Sequence, residues 1–461
     1  MSRPFGSLIL LCLLGASAAR ADPVDDYVAS ELQEQHVPGL SVAVVREGRV
    51  VKAQGYGLAN VELNVPATPE TVYHLASLTK QLTAAAVLLL VQDGRLGLDD
   101  RIGRYLEPTP ARWREVTVRQ LLTHTSGIKD YLNEMRSATR NGTSPEEIVA
   151  NLGEMPLDFA PGSHSFYSTT GYLVLGMILR KVSGKSYDEL LAERVFKPLG
   201  MSATRRNSFE EIIPYRAAGY VWANGRLTNS PFLDPTLYDN ADDGLLSTVL
   251  DLARWDAALY GDRILNASSR AQMWAPVRLA DGSTRPYAFG WNLDEVNGHR
   301  LVTHSGNRLD TSTTIVRYPD DKLTVIVLAN LSGANTERIA RHLAGLYVPA
   351  LLPGAERALA DREPRVTDLV KGVLLRLQDG TIDPAPFTRE MWDGLYPQAA
   401  SYLRHLLSTS GPFKSLTLLA RQEQGENRLY RYRAVFGDAR LLVDCTLTRE
   451  GKISEMGVSP E

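Results

Sequence analysis

The sequence predicts an α+β protein, mixed α/β in content. An antiparallel sheet is flanked by helices, an all-helical lobe is inserted into it, and a small α+β domain follows. Three observations carry this. Runs rich in β-branched residues stand near the start of the chain, Leu40 to Gly57, and again far downstream, His299 to Leu331. Helical periodicity fills the space between them, so one sheet must gather strands from both sides of a helical insertion. The segment from about Val366 then changes period by itself, helical first and alternating afterwards.

The chain opens MSRPFGSLILLCLLGASAARADP. One Arg, an apolar run from about Leu8 to Leu14 and a small-residue site at Ala19-Arg20-Ala21 form a secretory signal pattern with cleavage after Ala21. The alternative is an anchor helix, but the apolar run is shorter than the roughly 20 residues a span needs. The mature chain is therefore expected in the periplasm or outside the cell, without a stable membrane span.

LSVAVVREGRVVKAQGYG reads as a hairpin turning at Glu47-Gly48. A buried helix follows Ser77, with its longest apolar run from Ala84 to Val91. Further helical patterns are VRQLLTHTSG, Thr169 to Gly184, and Ser247 to Gly261, where Ser247 is an N-cap candidate and Gly261 a stop. Thr169 is likewise an N-cap candidate. Strands return at HRLVTHSGN and from Thr311 to Leu331, the last two turning at Pro319-Asp320-Asp321, and a helix runs from Asn335 to Leu346. We divide the chain into a signal at 1–21, a main domain at 22–352, a charged, Pro-containing linker at 353–366 and a tail at 367–461. The tail closes with four strands turning at Gly425, Gly437-Asp438 and Glu450-Gly451.

Composition narrows the function. Of 461 residues, 44% are hydrophobic, enough for a sizeable core. The formal net charge of −3 argues against a nucleic-acid partner, which needs a basic face. Cys12 leaves with the signal, so Cys445 stands alone and no internal disulfide forms. No Cys or His cluster has metal spacing: His299 and His304 are an odd number apart on a strand, so their rings face opposite ways. No cofactor is called for.

Chemistry concentrates in three places. In ASLTKQLTAAAVLLLV, Ser77 and Lys80 are one helical turn apart at a helix start. Free N–H groups and a partial positive charge there favour an oxyanion, and burial favours a neutral amine able to accept the Ser proton. A second S-x-x-K, Ser126 to Lys129, lacks the apolar run and reads as a loop. In FYSTTGYLVLG, Tyr167 stands just before a helix; a phenol accepts a proton only where cations hold it ionised. In VTHSGN, a polar His304-Ser305-Gly306 interrupts a strand, and Gly306 lets another backbone approach. An edge N–H there can bind an acyl group. In isolation, Tyr167 also reads as a packed aromatic and His304 as a structural histidine.

Taken in order, ASLTK, YST and HSG resemble the S-x-x-K, Y-x-N and K-T-G set of the serine β-lactamase and penicillin-binding (DD-peptidase) family. The branch is the class C β-lactamase-like one. LLTHTSGI, FAPGSHSFYSTTGYLVLG, VFKPLGM, DDGLLSTVLDLARW and YAFGW are similar to the same branch, so the resemblance spans residues 25 to 350. It implies that Ser77 is acylated, with Lys80 its partner and Tyr167 the base that also protonates the leaving group. It implies an oxyanion hole from the N–H groups of Ser77 and Asn307, beside Gly306. THTSG would be a structural loop. Two residues depart from the pattern. Thr169 replaces an Asn and cannot make both amide contacts. His304 replaces a fixed positive charge with a group titrating near pH 6.5. The implied activity is acyl transfer on an amide or ester of a small-molecule or peptide substrate: β-lactamase, DD-peptidase, D-aminopeptidase or esterase. The alternative is a catalytically inactive penicillin-recognising binding or sensor protein. The tail resembles NTF2-like or cystatin-like appendages. The oligomeric state is left open.

Overall fold

Alternation in the first strand run explains how the core is divided. In the computed structural model, β1 (Gly39–Arg46) sends Val42 and Val44 to one face of the main sheet and Ala43 and Val45 to the other. Both faces are covered, so the strand reads as continuously apolar. The structure describes residues 22–460 except 135–142, 209, 232–240, 353–357, 396–397, 425 and 438. The expected export segment, the start of the expected linker and the turn residues Gly425 and Asp438 lie outside the described residues.

β1 turns into β2 (Arg49–Asn60) through Glu47 and Gly48, both with positive φ, as a two-residue hairpin turn requires. A short β3 (Val65–Pro66) follows. The rest of the sheet comes from β4 (Asn292–Val296), β5 (His299–Arg308), β6 (Thr311–Tyr318) and β7 (Leu323–Ala329). The seven strands lie in the order β4-β5-β6-β7-β1-β2-β3. β1 pairs antiparallel with β7, Leu40 opposite Ala329. The distant segments thus meet as the sequence predicts.

One face of this sheet packs against α1 (Pro23–Glu34) and α5 (Thr336–Tyr347) through Val24, Val28, Ile339 and Leu343. The other face carries the helical lobe, centred on α2 (Thr79–Gln92), α3 (Thr169–Ser183) and α4 (Val249–Ala258). Two capping expectations are corrected. Thr248, not Ser247, caps α4, accepting from the Asp251 N–H; Ser247 ends a strand, Leu245–Ser247, paired with Tyr73–His74, and its hydroxyl bonds Thr204. α4 stops at Ala258, short of Gly261. Ser168, not Thr169, is the N-cap of α3, and Thr169 is the first helical residue, its N–H donating to Asp130.

The tail begins with α6 (Pro364–Asp379), which takes in the last residues assigned to the linker, because Pro suits the first helical turn. α7 (Arg389–Leu395) and α8 (Gln398–Thr409) lead to an antiparallel sheet of β8 (Phe413–Gln424), β9 (Asn427–Phe436), β10 (Ala439–Leu447) and β11 (Ile453–Pro460). Its core is its own, from Val370 to Ile453. Cys445 lies in it, its thiol pushed up to about 12 by burial and by Asp444. Arg431 reaches out of this sheet to Asp294 on β4 at 3.2 Å, while also bonding Asp444, and Glu455 pairs with Arg285 at 2.9 Å.

Candidate active site

Ser77 sits in a single 3₁₀ turn, Ala76–Leu78, that runs directly into α2. It therefore stands just ahead of α2, whose first residue is Thr79. Ala76 holds a left-handed φ of 48°, a conformation costly for a residue with a Cβ. The turn aims the Ser77 hydroxyl at two groups. Lys80 Nζ donates to Ser77 Oγ at 2.9 Å, and the Tyr167 hydroxyl meets the same oxygen at 3.1 Å. Lys80 is fully buried, and its amine also donates to the Asp242 carbonyl at 2.9 Å. Tyr167 is 40% exposed and forms the wall of the site toward solvent.

Gly306 supplies the opposite wall. Pairing of β5 with β4 ends at Thr303, which leaves His304–Arg308 paired on one side, to β6. A Cβ at residue 306 would fall 2.4 Å from the Leu75 carbonyl oxygen and 3.0 Å from the Ser77 nitrogen. Only glycine lets this strand lie against the Ser77 turn. Asn307 is exposed, and its side chain accepts from the Gly333 N–H at 3.3 Å. Thr169 is buried at the start of α3.

His304 differs from expectation. It is buried, and both ring nitrogens are engaged: Nδ1–H donates to its neighbour's carbonyl, Ser305 O, at 2.8 Å, and Nε2 accepts from the Tyr287 hydroxyl at 3.0 Å. Burial, then the charge of Lys80, push its pKa down to about 3. It is neutral throughout the range in which the sequence reading has it titrate. The sign for stability follows. The unfolded chain takes up a proton near pH 6.5 and the folded chain does not until about pH 3, so stability is lost as pH falls across that window. His304→Gln is expected to flatten this acid-side decline in melting temperature; an unchanged slope would show that another group sets it.

Beneath the turn lies a charged layer that sequence reasoning missed. His74 Nε2–H donates to the Asp243 carbonyl at 2.8 Å, and Nδ1 faces Asp310 at 3.2 Å. Burial opposes protonation of His74, but Asp310 outweighs it and the net shift is upward. Arg308 pairs with the Asp243 carboxylate, and the Asp242 carboxyl, held by the Tyr131 hydroxyl at 2.9 Å, is raised to about 7 by burial and by Asp243. Two successive carbonyls, of Asp242 and Asp243, thus receive Lys80 and His74. The signal available in the sequence was the paired acid in DDGLLS, which nothing local distinguishes from a surface turn.

The second S-x-x-K is a scaffold. Ser126 is buried and accepts from the Ile128 N–H at 3.2 Å, while Lys129 pairs with Asp158. The carbonyls of Thr125 and Gly127 accept from the N–H groups of Gly162 and Asp158, both at 2.8 Å. This loop therefore holds the segment that leads to Tyr167.

A buried lysine and a phenol converging on one serine, between a helical lobe and an antiparallel sheet, define a serine-hydrolase type of scaffold. Residues 24–348 match the family described as Beta-lactamase, and the chain belongs to that family. It is 33% identical over 405 residues to Penicillin-binding protein 4* of Bacillus subtilis (strain 168), covering 81% of this chain and 86% of that protein. Among solved structures it is similar to the octameric penicillin-binding protein homologue from Pyrococcus abyssi, with TM-score 0.65 and 25% identity over 93% of this chain and 94% of the other. It is also similar to D-amino acid amidase from Ochrobactrum anthropi SV3, with TM-score 0.59 and 27% identity over 67% of this chain and 92% of that one.

Proposed function

We propose that the chain is an exported serine hydrolase that cuts an ester or amide through an acyl-enzyme on Ser77. The observation that carries this reading is the convergence of the Lys80 amine and the Tyr167 phenol on the Ser77 oxygen at 2.9 and 3.1 Å. In the reaction, Ser77 Oγ attacks the carbonyl carbon as its proton passes to the Tyr167 oxygen, which takes it as a phenolate whose charge the Lys80 ammonium balances. The N–H groups of Ser77 and Asn307 receive the carbonyl oxygen as it becomes an oxyanion. Collapse expels the leaving group, which takes the proton from Tyr167, and water then releases the acid by the reverse sequence. Thr169 and His304 flank the substrate. Export is supported by the N-terminal pattern; among the described residues no helix is long and apolar enough to cross a membrane.

The state of His304 bears on the substrate. A neutral ring with both nitrogens occupied offers no charge to a carboxylate. This favours uncharged esters and amides over β-lactams and D-Ala-D-Ala peptides, whose carboxylate must be held. The similarity to a D-amino acid amidase points the same way. A panel of a short-chain p-nitrophenyl ester, a D-amino acid amide, a D-Ala-D-Ala peptide and a chromogenic cephalosporin tests it. The first two are expected to show the higher kcat/KM. A cephalosporin that outruns both reverses the substrate assignment.

A further inference from the structure

The chemistry proposed above leaves His124 without a part, although it lies at the centre of the site's aromatic wall. We infer that His124 is a positioning residue that holds the Tyr167 phenol against Ser77; the inference rests on the acyl-enzyme reading.

The geometry is a double grip. The His124 main-chain carbonyl accepts from the N–H of Phe166 at 2.9 Å, and its ring Nδ1 accepts from the N–H of Ser168 at 3.2 Å. One residue thus holds the peptide on each side of Tyr167. Its ring also lies 4.2 Å from the Tyr167 ring, centroid to centroid, with the rings of Tyr287 and Tyr172 at 4.5 and 5.4 Å. Tyr167 needs such support, because it is 40% exposed, and the other groups about its ring, Lys80 at 5.2 Å and Tyr287 at 6.1 Å, make no hydrogen bond to the peptide that carries it. A reacting group displaced by about 1 Å loses on the order of a hundredfold in rate.

The fold bears two costs to keep a histidine here. His124 holds a left-handed φ of 57°, which glycine would adopt freely. With Nδ1 accepting, the ring proton is on Nε2, and that buried atom has no hydrogen-bond partner among the described residues. A glycine would remove both costs, and a leucine or phenylalanine would fill the volume without an orphaned polar atom. None of the three supplies an acceptor at the Nδ1 position. The acceptor also requires a neutral ring. Burial, and after it the charge of Lys80, disfavour protonation, and the net direction is well below the usual histidine range.

The test compares His124→Phe, which keeps the ring and loses the acceptor, with His124→Asn, whose amide oxygen can stand in for Nδ1. Both are assayed with the full-length mature protein and a p-nitrophenyl ester. His124→Phe is expected to lower kcat about a hundredfold with little change in KM, and His124→Asn to recover most of that loss. In a Tyr167→Phe background the His124→Phe loss should largely vanish, because the two act through one group. Parent-like kcat in His124→Phe, no recovery in His124→Asn, or an undiminished loss in the Tyr167→Phe background each overturns the role. Should His124→Phe melt well below the parent, His124→Gln, whose amide reaches toward the Nε2 position, takes its place with the same expected loss. Fluorophosphonate labelling of Ser77 in the parent is scored first. Its absence sinks the acyl-enzyme reading, whereas labelling with His124→Phe unimpaired sinks only the part given to His124.

Discussion

Ser77→Ala is expected to reduce p-nitrophenyl ester turnover by at least about 10⁴-fold, since residual catalysis without a nucleophile comes only from binding and the oxyanion donors. Ser126→Ala is expected to leave turnover within a few-fold of the parent. The two serines share the same spacing to a lysine, so the contrast isolates geometry from motif. Ser77 receives the Lys80 amine and the Tyr167 hydroxyl, while Ser126 caps its own loop and Lys129 points to Asp158. Mass spectrometry after fluorophosphonate treatment supplies the second readout, with the adduct on the peptide holding Ser77. An adduct on Ser126, or an active Ser77→Ala protein, would falsify the assignment.

Lys80→Ala carries the next largest expectation, about a 10³-fold fall in kcat, within the span for losing a group that assists proton transfer. It also carries a stability cost. The side chain is fully buried, and removing it opens a cavity and leaves the Asp242 carbonyl without its donor. Together these effects amount to about 2–4 kcal/mol, seen as a lower melting temperature. Lys80→Arg does not rescue, because a planar guanidinium cannot occupy the place of a compact ammonium between two acceptors. A Lys80→Ala protein with parent kcat would show that Tyr167 takes the Ser77 proton without the help of Lys80.

The parts of this molecule legible in the sequence were those set by local pattern. β1 and β2 followed from two β-rich runs about the Glu47-Gly48 turn, α2 from an apolar run, and the last four strands from their alternation and turns. Ser77, Lys80 and Tyr167 were legible because their spacing and flanks are themselves local. The caps of α3 and α4 were misplaced by one residue, since Ser168, Thr169, Ser247 and Thr248 are all competent and distant partners decide: His124 and Asp130 for α3, the strand pairing of Ser247 for α4. His304 was misjudged for a different reason. Its neutrality depends on Tyr287, on burial and on Lys80, which the fold brings together from three separate segments. The His74, Asp243 and Arg308 layer and the grip of His124 were likewise invisible, being made of contacts between segments far apart in sequence.

The way the main sheet is threaded has a bearing on how the protein is made. β1 leaves the ribosome early but cannot pair with β7 until Ala329 has emerged, and the Gly306 wall of the site arrives almost as late. Such non-local pairing slows folding. A nascent chain therefore cannot close this sheet, or complete the wall beside Ser77, until the far strands have been made.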